Sequence, residues 1–233
     1  MKSISRLSAL FVLLVLASCS GEINDLERRG LKGKVKATNE FHCAATYVNK
    51  KWVASEECAN VYRVVEYDEE GNYIQAISIS DSGDTTNLAT VKRENGELVE
   101  ENYYTRVFMT PKHSNMVLVS RTIMDRVSED QVNFEVWQNE SLTYEGTTYY
   151  DSRGRIERQV QVVDNREVIV HHVYEKNLLV EMYQQELDGS RSATQQYEYS
   201  EFDDHGNWTL RLVFTGVEKL TPEMAITRVL DYY

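Results

Sequence analysis

The sequence has few prolines and no linker composition that would separate domains, and it lacks the motifs of common enzyme sites. Only two prolines, Pro111 and Pro222, occur in 233 residues, and no Ser/Gly/Pro-rich linker is present, so we expect one continuous body. No Gly-rich phosphate loop, zinc-ligand spacing or Ser-His-Asp order appears. His171 and His172 are adjacent in a predicted strand and point to opposite faces. The sequence therefore predicts neither a metal nor a cofactor.

Positive charge is also scarce. The chain has 25 Lys and Arg against 37 Asp and Glu, which gives a formal net charge of −12. Proteins that bind nucleic acid need a basic surface to neutralise phosphates. We therefore expect no nucleic-acid partner, and no body that lies flat on anionic lipid.

The N-terminus has the pattern of an export signal. Lys2 and Arg6 precede an apolar run, residues 7–17, that is about half the roughly 20 residues a membrane-spanning helix needs. Leu16-Ala17-Ser18-Cys19 resembles the lipobox of bacterial lipoproteins, in which the cysteine receives a diacylglyceryl group. The resemblance implies a signal peptide over 1–18, lipid attachment at Cys19 and membrane contact through that anchor. An ordinary secretory signal is the alternative.

The resemblance also suggests a division of the chain and a location. We expect a lipidated tether over 19–30 and a single β-repeat domain over 31–233. Position 20, directly after the cysteine, is Ser20 and not the aspartate that resembles an inner-membrane retention signal. The lack of that aspartate favours the outer membrane. Glu22 and Asp25 match the acidic surface-export signal of Bacteroidetes only loosely, so the periplasmic and cell-surface faces both stay open.

The body has the periodicity of strands. Ile156, Val160 and Val162 alternate with polar residues, and Trp208, Leu210, Leu212 and Phe214 alternate with Thr209, Arg211 and Val213. Fifteen tyrosines also suit a pleated, half-buried surface. The prediction is an all-β fold, an antiparallel meander of repeated hairpins.

Three turns repeat one pattern: an aromatic residue, an aspartate, two variable residues and a glycine, over 67–72, 150–155 and 202–207. The aspartate caps the turn, and glycine accepts positive φ. These turns resemble the YD repeats of Rhs type found in degenerate form in small Bacteroidetes lipoproteins. The resemblance implies an open, solenoid-like or curved sheet. The predicted structural turn residues are Asp68, Gly71, Asp151, Gly154, Asp203 and Gly206.

Two functional classes follow from this interpretation. The preferred one is a noncatalytic envelope lipoprotein that offers a binding or scaffolding surface to an unknown envelope protein or glycan. The alternative is an enzyme acting on envelope polymer through Asp203, Asp204 or His205, which crowd one short turn. We expect a hairpin tip at these three residues rather than a catalytic pocket.

Cys43 and Cys58 flank a predicted hairpin, residues 46–53. If the turn of this hairpin lies at Lys50-Lys51, the numbers of any two residues that face each other add up to 101. The numbers 43 and 58 give this sum. The two cysteines would then face each other within reach of a disulfide. Export to an oxidising compartment would preserve that bond. Two independent buried thiols are the alternative.

Overall fold

The structure is a computed structural model that describes residues 23–59, 61–110, 113–163, 166–186 and 188–233. The predicted signal peptide and Cys19 lie outside these residues. One short helix, α1 (Asp25–Arg28), precedes fifteen strands. The strands are β1 (Val35–Val48), β2 (Lys51–Cys58), β3 (Val61–Tyr67), β4 (Tyr73–Ser80), β5 (Thr85–Glu94), β6 (Glu97–Thr110), β7 (His113–Ser128), β8 (Gln131–Gln138), β9 (Ser141–Tyr150), β10 (Ile156–Val163), β11 (Arg166–Glu175), β12 (Leu178–Gln185), β13 (Arg191–Phe202), β14 (Trp208–Thr215) and β15 (Met224–Tyr232).

The sheet is antiparallel and closes on itself. From β3 to β15 each strand pairs with its neighbour in the chain. The last strand then pairs with the first, from Val35 opposite Tyr232 to Cys43 opposite Ala225. Closure leaves no long open edge, so the structure is a β-barrel.

The barrel has fourteen strand positions because β2 and β3 share one. Both pair antiparallel with β1, β2 along its second half and β3 along its first, so fifteen strands minus one shared position leave fourteen. With strands about 4.8 Å apart and tilted by about 40°, a circular barrel of this size measures roughly 25–30 Å between opposite backbones. Such a barrel encloses a lumen that its own side chains do not fill.

The N-terminal segment shows which sheet face is the inner one. Leu26 and Leu31 pack against Val65, Ala76 and Ala89, among other buried residues. The same segment contacts the turns at 68–72, 151–155 and 203–207, which lie far apart around the barrel. Only an element seated in one end of the barrel can contact all of them. Residues that share a face with Val65 and Ala76 therefore face the lumen.

The hairpin of β1 and β2 extends past the barrel and folds over its outer surface. Leu210, Leu212 and Phe214 point outward from β14, yet they are buried with Ala225. Ala45, Trp52 and Ala54 of the hairpin pack against them. This cover explains why the outer face of β14 is apolar.

A disulfide joins Cys43 and Cys58 at the base of that hairpin. The pivot predicted at Lys50-Lys51 is displaced by one residue, because Asn49 and Lys50 take positive φ and form the turn. Ala45 consequently faces Ala54, and the register shifts between Cys43 and Ala45 to place the two cysteines opposite each other.

The expected open, solenoid-like or curved sheet is wrong, although the all-β class and the consecutive hairpins are present. The pairing of β15 with β1 overturns it, because a sheet that closes has no free end to extend. Residues 23–30, predicted as tether, are seated in the barrel instead, because Leu26 finds apolar partners there. Among the described residues, no helix is long and apolar enough to cross a membrane.

Candidate functional site

Residues 23–34, which we call the plug, cross one end of the lumen. Asn24 caps α1, its side chain accepting from the backbone N–H of Glu27 while the Glu27 carboxylate accepts from the backbone N–H of Asn24. Leu26 and Leu31 are 5 % and 6 % exposed. A four-residue helix is too short to be stable alone, so its packing inside the barrel holds it.

Polar contacts fix the plug at two opposite parts of the rim. The Asp25 carboxylate accepts the backbone N–H of Tyr73 at 2.8 Å and forms an ion pair with Arg93. Across the barrel, Asn207 accepts the backbone N–H of Lys32 at 2.8 Å and donates to the Lys32 carbonyl at 2.9 Å. The plug is therefore bonded to β4 and β5 on one side and to the turn before β14 on the other.

The three Asp-x-x-Gly turns form part of this rim. Asp68, Asp151 and Asp203 each accept the backbone N–H of the residue four positions later. Gly71, Gly154 and Gly206 have φ values of 87°, 71° and 79°.

Two of these glycines also make room for the plug. A Cβ on Gly71 would lie 2.6 Å from Nδ2 of Asn24, and one on Gly154 would lie 3.1 Å from Cδ1 of Ile23. The repeated pattern thus marks turns at one end of a barrel that seat a common segment.

Asp203, Asp204 and His205 lie on one such turn. Asp203 accepts the backbone N–H groups of His205 and Asn207 and, at 2.5 Å, the hydroxyl of Tyr232. The His205 ring stacks on the Tyr232 ring with centroids 4.1 Å apart, and Asp204 is exposed. No group of three or more acidic, histidine or cysteine residues in the described part of the chain could hold a metal. The enzyme alternative built on these three residues is wrong, because Asp203 caps the turn, His205 packs on Tyr232 and Asp204 points to solvent.

The environment of Asp203 shifts two pKa values. Burial acts to raise the pKa of the carboxyl, but the Tyr232 hydroxyl and the two backbone N–H groups outweigh it and lower the pKa. For Tyr232, burial and the Asp203 carboxylate raise the pKa to about 12. Both shifts favour an ionised Asp203 that accepts from a neutral Tyr232.

Above the plug, the lumen wall carries charged side chains on four neighbouring positions. Glu40 on β1 is the register partner of both Arg63 on β3 and Arg228 on β15. Arg211 on β14 shares the inner face, since its register partner Ile226 lies on the same face of β15 as Arg228.

The Trp208 ring holds two of these guanidinium groups. Arg228 lies 3.7 Å and Arg211 4.7 Å from its centroid. Arg228 also donates from Nε to the Trp208 carbonyl, and its Nη1 is 4.0 Å from Oε1 of Glu40. Burial lowers the pKa of Arg228 to about 10, with Glu40 acting in the opposite direction.

A recess of about 370 Å³ lies in the adjoining wall. Small side chains on β4, β5 and β7 create it, because each leaves space that a larger residue would fill. Its lining combines hydroxyl, amide, aromatic and charged groups: Arg63, Ala76, Ser78, Asn87, Ala89, Glu101, Tyr103, Ser120 and Thr122. The Tyr73 hydroxyl donates to Glu101 at 3.1 Å. The recess is polar and can hold a small hydrated solute.

Sequence reasoning missed the inner arginines. It assigned Arg211 to the polar side of an alternating strand, whereas the structure turns that side to the lumen. Arginine between apolar residues, as in 210–212 and 226–230, was the available indication. It does not reveal an inner face unless the sheet is known to close.

Comparison with known proteins finds no matching family model and no matching curated protein. Two solved structures resemble this one. A porin-like protein from Bacteroides uniformis ATCC 8492 is 10% identical, with 86% of this chain and 98% of that chain covered and a TM-score of 0.46. A porin-like protein from Bacteroides vulgatus ATCC 8482 is 13% identical, with 87% and 99% covered and a TM-score of 0.47. The likeness is distant, and the barrel described above does not depend on it.

The resemblance to YD-repeat lipoproteins is wrong. Its turns are present, but they sit on the rim of a barrel whose last strand pairs with its first, not on the open sheet that the resemblance implies. The scaffolding function expected of the repeated strands is wrong for the same reason, since a closed sheet offers no extended repeat surface.

Proposed function

We propose that this chain forms a vessel for small solutes: a barrel that is closed at one end by its plug and admits solutes to its lumen from the other. One observation carries the proposal. The sheet closes around a lumen that contains a polar recess of about 370 Å³, and the plug is seated in one end only. Connections at the other end include the short turns at 81–84 and 139–140, and the one between β14 and β15 has eight residues, 216–223. Turns of that length do not cover a lumen of this width.

One outward row of the wall favours water over lipid, next to a parallel outward row that is apolar: Val64, Ile77, Leu88, Tyr104 and Leu118. The former row of register partners crosses seven neighbouring strands: Lys92, Glu100, Ile123, Glu135, Glu145, Val162 and Glu167. This row faces outward, because the adjacent row begins at Val91, which packs against the buried residues around Leu26 and Leu31 of the plug. Five of its seven residues carry charge. In a membrane barrel the outward band is apolar, and one Arg or Lys at mid-bilayer costs about 2–4 kcal/mol.

For the location we propose the outer membrane, reached by export and held by a lipid at Cys19. The export pattern of residues 1–18 supports this placement. The plug begins four residues after Cys19, a span of at most roughly 14 Å. The anchor would therefore hold the closed end near the bilayer, with the open end facing away from it.

Cysteine labelling tests the vessel. Ser78→Cys places a thiol in the recess, and Thr147→Cys places one on the outer wall as a matched control. We expect a small thiosulfonate to modify both thiols, and a maleimide coupled to a polymer wider than the lumen to modify only the outer one. Failure of the small reagent at residue 78, or equal rates with the large reagent, would contradict the proposal.

A channel that crosses the outer membrane is the second candidate. An even number of antiparallel strands in a closed barrel favours it. Swelling of liposomes that contain the purified protein separates the two. The vessel predicts no solute flux across the bilayer, whereas a flux that rises when Leu26→Ala loosens the plug would support the channel instead.

A further inference from the structure

The floor of the lumen has an excess of positive charge in a chain that is strongly acidic overall. Arg63, Arg211 and Arg228 line the wall, and Arg29 of the plug stands over the rings of Tyr67 and Tyr73 at 5.7 and 5.0 Å. We call these four residues the arginine floor. The carboxylates facing it are Glu40 and Glu101. Four positive groups thus face two negative ones, although the whole chain carries −12.

Most of this positive charge is not neutralised by ion pairs within the described residues. Within the described residues, Arg228 is the only member of the arginine floor in an ion pair, with Glu40 at 4.0 Å. Glu101 is bonded to the Tyr73 hydroxyl at 3.1 Å. Arg29 and Arg63 are exposed to the lumen, and the Nε atom of Arg211 is buried without a hydrogen-bond partner. A buried, unpaired guanidinium nitrogen is costly unless a ligand satisfies it.

The aromatic rings hold these groups in place. Arg211 lies between Tyr197 and Trp208, at 5.2 and 4.7 Å from the ring centroids. Stacking fixes the plane of a guanidinium group, whose N–H groups can then bond a planar oxyanion beside the Tyr199 hydroxyl that Arg211 already contacts. The arginine floor also adjoins the recess, since Arg63 belongs to both. Hydroxyl and amide groups therefore surround one edge of a cationic patch.

We propose that the arginine floor binds the oxyanion of a small, hydroxyl-rich solute, with Arg63 and Arg211 donating to the anion and the recess bonding its hydroxyls. This proposal deepens the vessel function and rests on it. The chemical class is a sugar that carries a carboxylate or a phosphate. Arg228 supports the site from beneath, because Glu40 and Trp208 already occupy its guanidinium group.

Calorimetric titration of the exported protein tests the proposal with glucuronate, glucose phosphate and glucose as probes. We expect at least one of the two anionic probes to bind about tenfold more tightly than glucose. Sodium chloride should weaken that binding. If glucose binds as tightly as both anions, the proposal is overturned; which anion binds more tightly decides between carboxylate and phosphate.

Variants locate the site. Arg63→Gln and Arg211→Gln should each weaken anion binding about tenfold, and Arg63→Lys should fall between Arg63 and Arg63→Gln, because an ammonium group keeps the charge but loses the planar pair of donors. Arg158→Gln is the matched control, because Arg158 also lies over a tyrosine ring, that of Tyr149 at 4.2 Å, but on the outer wall. Binding that survives Arg63→Gln, or that falls equally with Arg158→Gln, would overturn the proposal.

The fluorescence of Trp208 provides a second readout at the site itself. Anion binding should change it because a negative charge then lies beside the guanidinium group stacked on the ring, and Trp208→Phe should abolish that change. If Arg211→Gln fails to fold, Arg63→Gln and this signal still decide the outcome. Labelling at residue 78 distinguishes the two proposals: if the small reagent enters but no anion is preferred, only the anion site is refuted.

Discussion

Replacing Asn207 with alanine should release the plug from the rim. The Asn207 side chain is 2 % exposed and makes three hydrogen bonds: with the N–H of Lys32 at 2.8 Å, the carbonyl of Lys32 at 2.9 Å and the hydroxyl of Tyr232 at 2.7 Å. Each such bond contributes about 1 kcal/mol net. Asn207→Ala should therefore lower the free energy of unfolding by about 2–4 kcal/mol, measured by urea titration.

Asn72→Ala is the matched control for this prediction. Asn72 occupies the same position in its own turn, but among the residues that the structure describes its side chain bonds only to Asp68, at 3.0 Å. We expect a loss of about 1 kcal/mol there. Trypsin should also cleave after Lys32 faster in the Asn207 variant than in the Asn72 variant. If both variants lose the same stability and Lys32 stays equally protected, Asn207 does not hold the plug.

Three further predictions concern the rim and the cysteines. The pKa of Asp203 is lowered in the folded state, so its contribution to stability is present above the ordinary value of 3.8 and is lost as the pH falls below it. Asp203→Asn should therefore be less stable than the parent at neutral pH, and a difference that stays constant through acid titration would refute this. Mass spectrometry of the unreduced, denatured protein should find no alkylatable thiol at Cys43 or Cys58, and reduction should cost roughly 3 kcal/mol for the 15-residue loop. Cys19→Ala should move the protein from membrane to soluble fractions, and persistent membrane association would count against the anchor.

The rim turns show how far local pattern can be read. An aspartate followed three residues later by glycine has one favoured geometry, because the carboxylate caps the turn and glycine takes positive φ. That geometry depends on neighbouring residues only. The role of the turns as a seat for the plug could not be predicted, because it joins Asn24 to residue 71 and Lys32 to residue 207.

The Trp208–Phe214 segment shows where local reading fails. Its alternation predicted one buried and one polar face. In the structure Trp208 packs with Tyr197 and Ile226 on the lumen side of the wall. Leu210, Leu212 and Phe214 pack beneath the β1–β2 hairpin on the outer side. A register shift near the start of the strand separates them. Alternation specifies two faces, but it does not specify which partner each face meets.

The sequence by itself determined the all-β class and the hairpin turns, because side-chain alternation and turn chemistry act over a few residues. Only the tertiary structure decided that the sheet closes, since closure depends on pairing between β1 and β15, almost 200 residues apart. That pairing also decided which charges face a lumen and which face water. An arginine on a strand has the same local pattern on either side of the wall, so its function depends on the closure of the barrel.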